Sequence, residues 1–170
     1  MDQKNQRWLA ALGLGVGGAL GMAGSFAPTD ALRGLAWGVD GVSLVIASAL
    51  LVVMHMRNGR DGVAAGFLVF AIGQGLILST AATAPADAGA TFGAGVGLWA
   101  AGLALVSAPN FYPLIVRLLG LAAAVLLAIV AVQIFRGAPL DATTAPLPSL
   151  AYPVLVATMV GWIWSLLRTK

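Results

Sequence analysis

Apolar runs of about 20 residues, each closed by proline, glycine or charge, recur along this chain. That is the length a helix needs to cross the hydrocarbon of a bilayer. Six such runs can be marked: Trp8–Phe26, Ala31–Met56, Gly62–Ala82, Thr91–Ser107, Tyr112–Phe135 and Ser149–Leu167. The stretches between them are loops, with no room for a soluble domain. Only 9% of the 170 residues are charged, against about 25% in a soluble domain. A body of this size cannot be coated by so few charges, so lipid is the solvent the sequence implies. The expected fold class is all-α: residues 1–170 form one integral membrane domain, a compact bundle of six transmembrane helices. The first run has a charged leader, Met1–Arg7, and small residues around Ser25-Phe26-Ala27, as a signal peptide would. It is longer than a signal core and is followed directly by Pro28, so it reads as a retained span.

Basic residues orient such a bundle. With six spans, one face receives Lys4, Arg7, Arg57, Arg60, Arg117, Arg168 and Lys170, and the other only Arg33 and Arg136. The excess places both termini in the cytoplasm, and a bacterial inner membrane is the expected location. Trp8, Tyr112, Trp162 and Trp164 then fall near the inner surface and Tyr152 near the outer one, as an aromatic belt would. The segments Thr83–Ala90 and Arg136–Pro148 become outer loops. "ALGMAGSFAP" (Ala19–Pro28) and "AAGLALVSAP" (Ala100–Pro109) agree at five of ten positions. Each closes the first helix of a three-helix half, which raises a three-plus-three inverted repeat of the kind many transporters share.

The six acidic residues are all Asp, and one, Asp40, lies inside the second run. A central Asp costs about 2.5–3.5 kcal/mol on insertion scales. The eleven Leu, Ile and Val residues of that run, each worth about 0.3–0.6 kcal/mol when central, outweigh it. At 1.5 Å per residue Asp40 stands about 13 Å below the outer helix end, and Gln74, Trp99 and Thr158 fall within about 1 Å of that depth on their own helices. Ser43 shares the Asp40 face of its helix. A buried polar cluster of Asp40, Gln74, Ser43, Thr158 and Trp99 is expected, with Gln74 bonded to Asp40. Two roles compete for it: an interhelical hydrogen-bond node, or a proton- or ion-coupled pathway. Arg117 is placed as a snorkelling cation near the inner surface. His55, the single histidine, suits a helix C-terminus.

Gly13, Gly17 and Gly21 repeat every fourth residue on the first helix, the spacing that lets backbones approach closely. This face is the expected contact with another chain, either a second copy or a membrane-protein partner. The chain has no Cys, no phosphate-binding loop, no His-Glu-x-x-His and no Gly-x-Ser-x-Gly. Its basic residues form no patch that would read nucleic acid. No catalytic residue, metal or cofactor is therefore expected. The function expected is passage of a proton, ion or small solute through the Asp40 cluster. The alternative is a non-catalytic scaffold or accessory subunit that binds through small-residue helix faces.

Overall fold

A computed structural model describes residues 2–80, 85–137 and 150–168. It contains six helices: α1 (Gln3–Ser25), α2 (Asp30–Arg57), α3 (Asp61–Ser79), α4 (Pro85–Ser107), α5 (Leu114–Phe135) and α6 (Tyr152–Arg168). Five of them are long and apolar enough to cross a membrane, and α6 has 17 residues. Helix α4 differs most from the apolar pattern, starting at Pro85 rather than at Thr91. A polar, proline-led first turn is invisible to hydropathy, yet proline at the first helical position leaves no extra N–H unpaired. Part of the expected outer loop Thr83–Ala90 is therefore helix, while residues 81–84 lie outside the described residues, as does most of Arg136–Pro148.

Local chemistry sets the remaining ends. Thr29 caps α2, its Oγ1 accepting from Leu32 N at 3.3 Å, and Asp30 adds negative charge to the first turn, where the helix dipole favours it. Between α2 and α3, Gly59 takes φ +66°, a left-handed conformation that lets the chain reverse in three residues. Arg117 braces the α4–α5 turn. Its guanidinium donates to the carbonyls of Ser107 (2.9 Å) and Ala108 (2.8 Å) and to Asn110 Oδ1. It thus caps the C-terminal end of α4, whose last carbonyls have no partner within the helix.

Each helix packs on its sequence neighbours, and α6 returns to α1, so the six close into a ring. Glycine decides how tightly. On α3 and α4, Gly66 faces Gly102 and Gly73 faces Gly95: a Cβ on any one of them would stand 2.7–2.9 Å from the opposite glycine's carbonyl oxygen. The two backbones therefore touch at two levels, seven residues apart. Gly13, Gly17 and Gly21 do the same for α1. A Cβ on Gly13 would meet Ala47, one on Gly17 would meet Leu44, and one on Gly21 would fall on the Tyr152 hydroxyl. Within this one chain the glycine face of α1 therefore lies against α2 and α6.

The ring encloses a core of Leu14, Leu44, Leu51, Phe67, Phe70, Leu103, Leu127, Leu155 and Trp162, each no more than 1% exposed. Tyr112, Tyr152 and Trp162 are buried too, so three of the five aromatics assigned to an interfacial belt belong to the core; Trp8 and Trp164 stay exposed. The outside carries Leu12, Leu35, Val42, Leu118, Val125 and Val160, all more than half exposed. A water-soluble monomer rarely displays so continuous an apolar surface. An all-helical, apolar bundle of this kind points to a membrane protein.

Candidate functional site

One end of the ring gathers the C-termini of α1, α3 and α5 and the N-termini of α2, α4 and α6. Within that half lies a cavity of about 290 Å³, walled by Trp37, Phe92, Trp99 and Tyr152 and reached by Asp40 and Gln74. Five helices contribute to it. Asp40 projects from α2 toward the glycine face of α1: a Cβ on Gly17 would lie 3.3 Å from its Oδ1, and one on Gly21 would lie 3.0 Å from its Oδ2. The carboxyl occupies space that any larger residue on α1 would take. Gly41 plays the same part for α3, since a Cβ there would stand 2.9 Å from Gln74 Nε2.

Asp40 and Gln74 line the same cavity but do not bond to each other. Tyr152 Oη donates to Asp40 Oδ2 at 3.5 Å, a long and weak bond. The expected Asp40–Gln74 pair is corrected accordingly: Gln74 lies against Gly41, while the carboxyl turns to α1 and α6. Trp37 donates its indole N–H to Gly21 O at 3.2 Å, which holds that ring across the α1–α2 seam. Three residues of the wall each carry a polar atom that is fully buried and has no partner among the described residues: Asp40 Oδ1, Gln74 Oε1 and Trp99 Nε1. Six further atoms of this kind, among them Ser48 Oγ and Trp162 Nε1, lie elsewhere among the described residues, so what sets this place apart is the cavity with a carboxyl in its wall.

No family model, no curated protein and no solved structure matches this chain. Its own groups therefore carry the functional argument.

The structure brings Asp40, Gln74 and Trp99 together and leaves Ser43 and Thr158 outside the cavity wall. Ser43 is half-buried one turn further along, its carbonyl 3.0 Å from where a Gly13 Cβ would stand. Thr158 is fully buried, but its hydroxyl donates to Val154 O at 2.9 Å and its methyl faces Gly120 of α5. Equal depth in a bundle does not imply a shared face, and that is why both were misplaced. Tyr152 was missed for a related reason. Its position at the end of a run reads as interfacial, whereas its hydroxyl fills the space that Gly21 leaves empty and reaches Asp40.

Toward the other end aromatic rings pack one on another. Trp99 stacks on Phe70 with centroids 5.6 Å apart, Phe70 meets Trp162 at 6.4 Å, and Trp162 meets Phe67 at 4.9 Å. Phe67 stacks on His55 at 5.6 Å. His55 is fully buried and its Nε2 shares a 3.2 Å hydrogen bond with Tyr112 Oη. This column of rings runs from the cavity wall to a recess of about 80 Å³ beside Arg7 and Arg60. Among the described residues no three of His, Cys, Asp or Glu come together as a metal site would need.

Proposed function

We propose that the protein passes a proton, an ion or a small solute across a membrane, and that the cavity around Asp40 is where the passenger is held. The observation that carries this reading is the buried carboxyl of Asp40 in the wall of a cavity, with Gln74 in the same wall. Intramembrane carboxylates facing a cavity are costly, and ion and substrate pathways use them. A node that only tied helices together would have its bonds made; this one has a single 3.5 Å bond. For the scaffold alternative the α1 glycines meet α2 and α6 of the same chain, and the open small-residue pair is Gly34 and Gly38 of α2.

In this proposal the excess of basic residues sets both termini in the cytoplasm of a bacterial inner membrane, so the cavity opens in the outer half. The ring column is then the inner gate, which must separate for a passenger to leave. The working unit is a homo-oligomer or a complex with another membrane protein, since one ring of six helices encloses only this small space. The three-plus-three repeat belongs to the same proposal. Gly21 of α1 reaches α6, and its counterpart Gly102 of α4 reaches α3, as an exchange of halves requires. No catalytic step is assigned to any residue.

Flux in proteoliposomes tests the proposal. Protein reconstituted with a trapped pH-sensitive dye is expected to dissipate an imposed proton gradient, and Asp40→Asn is expected to abolish that flux while its thermal midpoint stays within a few degrees. Unchanged flux in a folded Asp40→Asn variant would remove Asp40 from the pathway.

A further inference from the structure

The cavity's chemistry narrows what it can hold. Its described lining carries one carboxyl and no Lys or Arg. The basic side chain nearest in sequence, Arg33, pairs with Asp30 at 2.6 Å and donates to Ala27 O at 3.3 Å. Its guanidinium also lies 5.9 Å from the centroid of the Trp37 ring, but with its charge already paired to Asp30 an anion inside would meet the Asp40 carboxyl first. A sugar-like polyol would leave most of its hydroxyls against Trp37, Phe92 and Trp99. A bare hard cation takes about six to eight oxygens where calcium is the example, several of them charged; here one carboxyl and one amide stand among the hydroxyls of Ser25, Thr80 and Tyr152, each of which already donates elsewhere.

What remains is a cation that needs few hydrogen bonds and welcomes ring faces. An ammonium with apolar substituents fits: aromatic faces attract it through their quadrupole, a carboxylate neutralises it, and an amide oxygen accepts from any N–H it bears. The volume, about 290 Å³, equals roughly ten waters at about 30 Å³ each, enough for an amine that carries one aromatic ring. The wall is open along Gly34 and Gly38, where an added Cβ would meet nothing within 4 Å, so a guest has a way in between helices.

We infer that this cavity binds a small organic cation, its ammonium set between the Asp40 carboxylate and the rings of Phe92, Trp99 and Tyr152. The inference rests on the reading of the cavity as a passenger site and names the passenger's class.

The test is equilibrium binding of labelled phenyltrimethylammonium to the full chain in lipid nanodiscs. Tert-butylbenzene, which has the same shape without the charge, serves as competitor. Saturable binding at one site per chain is expected, with the neutral isostere at least about tenfold weaker. Asp40→Asn is expected to weaken binding by about tenfold or more. Gly38→Phe, which adds a ring to the open wall where space is free, is expected to weaken it with the thermal midpoint held, so the test survives if Asp40→Asn misfolds. Equal competition by tert-butylbenzene, or no saturable binding to the wild-type chain, overturns the inference. The two readings fail separately. Asp40-dependent proton flux without phenyltrimethylammonium binding removes the cation and keeps the passage. Saturable cation binding without flux of proton or labelled cation removes the passage and keeps the cation.

Discussion

Asp40 is held by what its neighbours lack. Gly17 and Gly21 give its carboxyl room, and Tyr152 supplies one long hydrogen bond across the α2–α6 gap. Tyr152→Phe removes that bond and leaves the shape unchanged. Interhelical bonds in membrane proteins are worth about 0.6 kcal/mol on average and less than about 2 at most, and a 3.5 Å bond belongs at the low end. The variant is expected to lose about 0.5 kcal/mol in unfolding from detergent, and to alter flux far more than stability. A loss of several kcal/mol would make Asp40–Tyr152 a structural tie and count against the passenger site. Arg117 offers the contrasting case of a polar residue whose bonds are made. Replacing it with Met strips three acceptors at the α4–α5 turn. The expected cost is about 1–2 kcal/mol, since hydrogen bonds to charged groups contribute about 1.5–3 and this one is partly exposed. Thermal unfolding in detergent would read it, with flux preserved at low temperature.

At the level of whole helices, close approach governs the bundle. The α1 seam depends on Gly13 and Gly17, and the α3–α4 seam on two pairs of facing glycines. A Leu at Gly17 must displace Leu44 from the core, and overpacking of this kind costs typically about 1–3 kcal/mol. Gly17→Leu is therefore expected to lower the thermal midpoint and the yield of folded monomer. If the variant instead left a stable monomer and only dissolved an oligomer on native gels, the α1 face would be an interface between chains after all. Glycines spaced by four on α1 were visible as a packing face, but their partner was not. Gly66 and Gly73 on α3 face Gly102 and Gly95 on α4 at a spacing of seven, which a search for four-residue repeats passes over. Pairs that face each other across antiparallel helices are a property of two segments together, so no single helix displays them.

For the whole molecule, the ring closes because α6 returns to α1, and the cavity exists only once it does: its wall takes residues from α1, α2, α3, α4 and α6. The two ends of that ring differ. One bears the cavity, and the other bears the Arg7–Arg60 recess with the buried His55. Orientation is testable because the chain has no Cys. Single cysteines at Gly62 and at Arg136, both exposed and at opposite ends, are expected to differ in intact cells. A membrane-impermeant maleimide should label Arg136→Cys and spare Gly62→Cys until the membrane is opened. The reverse pattern would turn the bundle over and set the cavity in the cytoplasmic half.

Hydropathy and length alone were enough for the class of fold, the number of helices and the burial of Asp40. These follow from properties of each segment: apolar side chains at every turn, proline and glycine at the breaks, and a carboxyl that lipid will not accept. Which side chains share a space was decided by packing. Gln74 and Trp99 join Asp40 because their helices rotate that way. Ser43 and Thr158, at similar depth, do not, and Tyr152 reaches the carboxyl through the gap at Gly21. Depth along a helix is a one-dimensional quantity that the order of residues carries. Rotation about the helix axis is set by neighbours from distant parts of the chain, and only their contact determines it.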